Sequence, residues 1–369
     1  MVRNKAIDQI LDALVDEQVS DIHFKAGSPP IVRKSGHIVH SEGFPVFSAE
    51  HVEKIISEIA TPKQMQILND GNEIDLAYSL GGKARFRVNI FHQRGTPAVV
   101  MRKIPFTVPD VSTLGLPSIV RSISMARRGL VLVTGATGSG KSTTLAAMIR
   151  HINENRKAHI VTIEDPIEFL HADSMSSICQ REVGIDTAGW ANALRSVFRQ
   201  DPDVILIGEM RDAETALIAL TGAETGHLVV STLHTTDAAE TVNRIIDMFP
   251  SHQQKQVRIQ LGGLLKAVIS QRLLPRADDS GERVLACEVM VHTSTIMNCI
   301  TDPEKTYLIH ETMEQSGGQY GMQTFDMALY HLLCENAIDQ ETALSAATNP
   351  TALMLRIKGV ESSDDWRVE

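Results

Sequence analysis

Gly129-Leu-Val-Leu-Val-Thr-Gly-Ala-Thr-Gly-Ser-Gly-Lys-Ser142, or GLVLVTGATGSGKS, decides how the rest of the chain is read. Its first half is a near-continuous apolar run, the mark of a strand buried on both faces. From Gly135 onward it fills every fixed position of G-x-x-x-x-G-K-[ST]. A helical pattern, STTLAAMIRHINEN, follows. Strand, glycine-rich loop and helix in that order make a cradle for phosphate. Glycines let the backbone wrap closely, with N–H groups turned inward. The helix N-terminus adds positive potential. In such a cradle Lys141 reaches the β- and γ-phosphates and Ser142 binds magnesium.

Comparable apolar runs recur at HIVTIED, DVILIGE and HLVVSTLH. Helix-like stretches separate them, among them AGWANALRSVFRQ and DAETALIALTGAE. Strands alternating with helices predict a mainly parallel sheet. After about residue 255 the pattern reads as helical, with one hairpin around Ser280-Gly281. The N-terminal part differs. An amphipathic helix carries Ile7, Ile10, Leu11, Leu14 and Val15, and short strands broken by Gly27, Pro29, Pro30 and Gly36 come next. A second helix starts near Ser48, and EIDLAYSLGGKARFRVNIFHQRG reads as a hairpin turning at Gly81-Gly82. Pro105, Pro109 and Pro117 make residues 102–118 a linker. The expected division is a small α+β domain over 1–101, the linker, an α/β core over 119–275 and a mainly helical region over 276–369.

The chain has 369 residues, 43% hydrophobic and 22% charged, which suits a soluble globular protein of two or three domains. A net charge of -10 and only 4% aromatics argue against nucleic acid as a partner. Cys179, Cys287, Cys299 and Cys334 form no CxxC pair, so neither a zinc ribbon nor a redox motif is indicated. Charges interrupt the apolar positions of the N-terminus, and no apolar run approaches the ~20 residues that span a bilayer. The expected location is cytoplasmic, with any membrane role exerted through a partner.

Hydrolysis needs a group to orient water and a group to support the metal. Glu164 in VTIEDPIEF and Glu209 in DVILIGEMRD both follow buried strands. Parallel strands deliver such residues to one edge, where ligands bind. Glu164-Asp165-Pro166 also reads as a helix cap, with Pro166 at the first helical position. Glu209 has a plainer reading as an ion pair with Arg211. Gly208 stands where a metal-assisting aspartate is usual, and Asp203 lies at the far end of the strand. His227 and His234 flank one strand, either as structural residues or with one of them sensing the γ-phosphate. Arg85, Arg87, Arg94 and Arg102 lie in a stretch with no acidic residue between Asp75 and Asp110. Such a run is usually a solvated strand face. On a separate domain, arginines can instead complete a neighbour's site by neutralising transition-state charge.

Together these motifs resemble the type IV pilus retraction ATPases, the PilT and PilU family. SDIHFKAGSPPIVRKSGHI is similar to its N-terminal PAS-like domain, GATGSGKST to its Walker A motif and VTIEDPIEF to its Asp box. RQDPDVILIGEMRDAET is similar to its Walker B strand, which ends in Gly-Glu, and AETGHLVVSTLHTTDA to its His box. The resemblance implies an α/β fold: a PAS-like α+β domain, a linker, a RecA-like P-loop ATPase core and a helical C-terminal extension. It implies that Gly135, Ala136, Thr137, Gly138, Ser139, Gly140, Lys141, Ser142 and Thr143 hold ATP. It makes Glu209 the catalytic glutamate, with Ser142, Glu164 and Glu209 around Mg2+. His227 and His234 become the His-box residues. Arg85, Arg87, Arg94 and Arg102 fall in the region facing the neighbouring subunit's nucleotide. The implied assembly is a homo-hexamer at the inner face of the inner membrane, working on a platform protein, in some cases beside a paralogous motor.

Ser294-Thr-Ile-Met-Asn-Cys-Ile300 keeps the apolar and asparagine positions of an AIRNLI-type motif without its arginine. GMQTFD and the tail ALMLRIKGVESSDDW lean towards PilU-like or divergent PilT-like members. Three alternatives stand beside the retraction motor. One is an accessory ring subunit that depends on a paralog. Another is an assembly or secretion ATPase, although those relatives carry a module of two CxxC pairs. The third is a nucleic-acid translocase, which the acidic charge disfavours.

Overall fold

Alternating apolar and polar residues build the first of two units. It ends at Thr107 and also takes in Glu168–Leu170, while the second runs from Val108 to Ile167 and from His171 onward. The computed structural model describes residues 5–105, 107–278 and 280–360, and counts of elements refer to those residues. The end of the tail, ESSDDW, lies outside them.

The first unit runs α1 (Ala6–Leu14), β1 (Val19–Lys25), β2 (Ile31–Lys34), β3 (His37–His40), α2 (Ala49–Ile59), α3 (Pro62–Asn69), β4 (Ile74–Leu80), β5 (Ala84–Gln93) and β6 (Thr96–Ile104). Among the described residues these strands form one antiparallel sheet of six in the order β3-β2-β1-β6-β5-β4. Ile22, Phe24, Phe86, Val88, Ile90, Val99 and Met101 point to one face and pack against Ile7, Leu11, Val52 and Ile56 of the helices. Side chains alternate across a strand, so the other face receives the polar partners. Helix starts are fixed locally. Ser48 accepts the His51 N–H, and Thr61 accepts the Gln64 N–H ahead of Pro62. The expected linker overlaps β6, since Arg102 to Ile104 still pair with β5.

The second unit opens with α4 (Ile119–Ser124), β7 (Gly129–Thr134), α5 (Lys141–Asn155), β8 (His159–Glu164), β9 (Ser177–Glu182), α6 (Trp190–Val197) and β10 (Val204–Ile207). It continues through α7 (Ala213–Glu224), β11 (Leu228–Leu233), α8 (Ala238–Asp247), α9 (Ser251–Leu264), β12 (Leu265–Pro275) and β13 (Arg283–Val291). The last helices are α10 (Ser294–Thr301), α11 (Ile309–Tyr320), α12 (Phe325–Cys334), α13 (Gln340–Ala346) and α14 (Pro350–Ile357). The sheet order is β13-β12-β7-β11-β10-β8-β9, parallel throughout except for β13. Residues of β7, β10 and β11 are buried without exception. Val131 and Val133 face Leu145, Met148 and Ile152 of α5, whereas Leu130 and Leu132 face the layer holding Ala216, Leu220 and Val242. Helices therefore cover both faces, as a parallel sheet requires.

The hairpin expected around Ser280-Gly281 is present as β12–β13, and the helical reading after residue 255 fails over the length of its two strands. β12 lies beside β7, and the hairpin extends the sheet to Val291. The stretch GMQTFD joins the later helices to this edge. Gln323 exchanges backbone hydrogen bonds with Val289, and Thr324 caps α12.

Glu288, on β13, is wholly buried. Its Oε1 accepts the Ala238 N–H at the start of α8 at 2.8 Å, and its Oε2 lies 3.3 Å from His310 Nε2. Burial pushes its carboxyl up to about 7, with Asp237 adding to the rise and His310, the Ala238 N–H and Arg272 opposing it. In the unfolded chain the same group ionises near its ordinary 4.5. Between those two values the unfolded chain binds fewer protons than the folded one, so stability falls as pH rises. Glu288→Gln is therefore expected to melt above the native protein at pH 8, with the gap closing by pH 5. Calorimetry at the two pH values checks this, and a gap independent of pH would contradict it.

Candidate active site

The C-terminal ends of β7, β8, β10 and β11 lie at one edge of the second sheet. β7 ends at Thr134 and turns through residues 135–140 into α5. Gly135 has φ +141°, and a Cβ there would come within 2.5 Å of both the Gln271 carbonyl and Ser139 Oγ. Only glycine fits, so the loop lies directly against β12. Lys141 folds back onto its own loop, donating to the carbonyls of Gly135 at 2.8 Å and Ala136 at 2.9 Å. Those carbonyls hold the ammonium where an incoming phosphate can recruit it.

Glu164 is the last residue of β8. Its Oε1 accepts Thr162 Oγ1 at 2.7 Å and Gln180 Nε2 at 3.1 Å. Thr162 and Gln180 are paired across β8 and β9, so the ladder itself aims these donors. No helix begins at Pro166, and β9 at Ser177 is the next regular element. The helix-cap alternative for Glu164 therefore falls away.

Glu209 lies two residues past β10. The strand end is held from both sides. The Gly208 N–H donates to the Ile163 carbonyl at 2.8 Å, and the Met210 N–H donates to the Thr232 carbonyl at 3.0 Å. Thr232 Oγ1 donates to the Gly208 carbonyl at 2.6 Å. The Glu209 carboxylate, 21% exposed, sits between Arg211 Nε at 2.8 Å and His234 Nε2 at 3.3 Å. The Arg211 ion pair is thus present, and His234 joins it from the end of β11. His234, Thr235, Glu240 and Arg244 line a cavity of about 400 Å³ that opens beside Glu209.

His227 is not at this edge. It precedes β11, takes a hydrogen bond distance of 3.0 Å to the Gly222 carbonyl and packs against Phe198 with ring centroids 5.6 Å apart. A six-residue strand separates it from His234, about 20 Å of extended chain. Asp203 is likewise at the opposite edge, accepting the His159 N–H at 2.8 Å. The four arginines belong to the first unit. Arg87 and Arg102 stand opposite each other on β5 and β6, Arg85 lies two residues before Arg87, and Arg94 occupies the β5–β6 turn at φ +50°.

The donors at the nucleotide edge suit a cation that arrives with phosphate. Magnesium commonly takes one or two carboxylates, with phosphate oxygens and water completing six positions. Ser142 lies in the first turn of α5, Glu164 ends β8, and Glu209 follows the neighbouring strand β10 by two residues. Among the described residues no group of three or more His, Cys, Asp or Glu side chains could hold a metal by itself.

A family model described as Type II/IV secretion system protein matches residues 2–341. The chain belongs to this family. It is 44% identical over 344 residues to the type IV pilus ATPase PilT of Pseudomonas aeruginosa, covering 93% of this chain and 98% of that one. It is 39% identical over 362 residues to PilU of the same organism, covering 97% and 93%. A crystal structure of the pilus retraction motor PilT with bound ADP superposes with a TM-score of 0.84 at 43% identity, covering 95% of this chain and 99% of that one. This family member is a P-loop ATPase with a mixed α/β fold.

Several residues of the site carry no motif signal. Gln271, buried on β12, donates to Thr144 Oγ1 of α5 at 2.7 Å and supplies the carbonyl that closes on Gly135. Trp190, at the start of α6, explains Gly208. A Cβ on Gly208 would meet the Trp190 ring and the Ile163 carbonyl at 3.3 Å and Glu164 Cα at 3.4 Å. The indole fills the space that an aspartate would need, and the carboxylate comes one residue later. Gly208→Ala is expected to cost about 1–3 kcal/mol through overpacking. It is also expected to lower kcat about 10-fold by displacing Glu164 and Glu209, with Trp190→Phe restoring part of both. Melting temperature and turnover of the two single variants and the double variant test this. Native turnover in Gly208→Ala would show that the close packing is irrelevant to the site.

Proposed function

We propose that this chain is a motor ATPase that couples ATP hydrolysis to type IV pilus retraction. The observation that carries the reading is the half-buried Glu209 carboxylate, held by His234 and Arg211 at the edge that also presents a complete phosphate loop. Similarity to PilT along 93% of the chain supports the biological setting.

In this reading the loop N–H groups from Gly135 to Thr143 and the start of α5 bind the ATP phosphates. Lys141 leaves the Gly135 and Ala136 carbonyls for the β- and γ-phosphates. Glu209 accepts a proton from the attacking water and fixes its direction, while His234 holds the Glu209 carboxylate. Thr162 and Gln180 keep Glu164 directed at the same edge. Magnesium, held by Ser142 with Glu164 and Glu209, would neutralise charge on the phosphates. The first unit is a PAS-like α+β domain whose arginines complete the site of a neighbouring copy. The working form is a homo-hexamer at the cytoplasmic face of the inner membrane, engaging a platform protein. Among the described residues no helix is long and apolar enough to cross a membrane.

A second reading is an accessory ring that depends on a paralogous motor. Similarity to PilU over 97% of the chain favours it, as does α10, whose STIMNCI lacks the arginine of the AIRNLI-type motif. Both readings keep the chemistry and differ in how much of it the isolated ring performs.

Glu209→Gln is expected to bind ATP normally and to lose turnover by about 10²-fold or more. Specific activity of the native protein is expected to rise with concentration as copies associate, by up to about 10³-fold if an arginine acts between them. Steady-state ATPase assays with light scattering decide. Near-normal turnover by Glu209→Gln removes that residue from the mechanism. A native hexamer that binds ATP but barely hydrolyses it favours the accessory ring.

A further inference from the structure

Four strands of the first sheet bring one row of charges into line. Arg33 on β2, Asp21 on β1, Arg102 on β6 and Arg87 on β5 occupy successive paired positions. The neighbouring residues Ile22, Phe86, Val88 and Met101 point into the helix-covered core, so the row lies on the opposite face. Arg87 and Arg102 are direct cross-strand neighbours, an arrangement that costs stability when both are charged. A sheet shaped by stability alone has no use for it.

Asp21 is built differently from its neighbours in the row. Its side chain is 8% exposed, whereas that of Arg102 is 73% exposed. Asp21 Oδ1 accepts Arg102 Nε at 2.9 Å, and Oδ2 accepts Ser20 Oγ at 2.8 Å. Arg33 Nε is farther away, 3.8 Å from Oδ2. Burial pushes the Asp21 carboxyl up, but the bonds from Arg102 and Ser20 outweigh it, and the carboxyl lies below its ordinary range. The grip is on Nε. A carboxylate that served only to tie β1 to β6 would gain most from the two-pronged contact with the guanidinium fork. Holding Nε fixes the plane of the guanidinium and leaves its outer nitrogens for another anion. The other candidates lack such a mount. Arg87 Nε is 3.9 Å from the exposed Asp75, Arg94 lies in a turn, and Arg85 Nε is buried with no hydrogen-bond partner.

We propose that Asp21 is a positioning residue, whose buried carboxylate holds Arg102 at Nε so that the outer guanidinium nitrogens face the nucleotide phosphate of a neighbouring copy. The proposal rests on the reading that an arginine of this unit completes that site. A guanidinium held in place before the reaction stabilises developing charge without reorganising at that moment. Such a contribution appears in kcat more than in KM.

The test is steady-state ATPase activity of the assembled protein for the native chain, Asp21→Asn, Arg102→Gln and the double variant. Melting temperature and light scattering are followed in parallel. Asn keeps the shape and one acceptor oxygen but removes the charge. Asp21→Asn is expected to lower kcat about 10-fold, with KM for ATP within about twofold and the assembly intact. Added to Arg102→Gln, it is expected to cause no further loss, because both changes act through one group. Asp21→Glu keeps the charge but moves it by one methylene, and the same fall in kcat is expected. It serves if Asp21→Asn does not assemble. Native kcat in Asp21→Asn beside an impaired Arg102→Gln overturns the role of Asp21 and leaves that of Arg102 standing. Equal losses from Asp21→Asn with and without Arg102, tracking a lower melting temperature, would make the pair purely structural. Native kcat in Arg102→Gln overturns the reading beneath the proposal as well.

Discussion

A strand buried on both faces has no room for a working polar side chain. That constraint organises the second unit. β7, β10 and β11 are fully covered and mostly apolar, their few polar residues Thr134, Ser231 and Thr232 being buried as well, so the chemistry lies just beyond their ends. Because the strands are parallel, the ends fall at one edge. The phosphate loop, Glu209 and His234 meet there with little loop between them, and Glu164 joins from β8. The same rule sends Asp203 and His227 to the other edge, where they bond to the backbone. Direction along the strand separates two histidines that look alike as a pair in the sequence.

The glycine before Glu209 shows how packing sets the pattern of a site. Trp190 presses on the end of β10, and the backbones of β8 and β10 close together beneath it. A side chain at Gly208 enters only if the Trp190 ring and the Ile163 carbonyl give way. One step along an extended chain turns the next side chain to the opposite face, and there Glu209 finds His234 and Arg211. The carboxylate at this strand end is therefore offset by one residue for a steric reason, and its two basic neighbours fix where it points.

Much of this was legible in the chain itself. The phosphate loop, the strands β7, β8, β10 and β11 with α5, α6 and α7 between them, the hairpins at Gly81-Gly82 and Ser280-Gly281 and the placement of Glu164 and Glu209 at strand ends follow from apolar runs and turn residues, whereas β9 went unread. The failures have physical causes. α9 passes into β12 at Leu264-Leu265 with no glycine or proline to mark the change, and LKAVISQRLL suits either period. Gln271 was hidden with it. Trp190 carries no motif signal, because its importance depends on a glycine that lies near it only in space. Asp21 and Arg102 are 81 positions apart, and only the β1–β6 ladder makes them partners.

The position of β12 bears on how this protein is made. The phosphate loop sits between β7 and β12, and its closest contact, Gly135 against the Gln271 carbonyl, joins residues far apart in the sequence. A ribosome adding about 5–20 residues per second needs many seconds to pass from one to the other. Throughout that interval β7 has an open edge, and β12 in turn is covered only when β13 emerges. Nucleotide cannot act as an early template for the nascent core, because the wall behind its cradle is among the last parts of the sheet to be synthesised. Shielding that edge during synthesis is a task for the cell, and cutting the chain at the end of β12 would recreate the exposed state permanently.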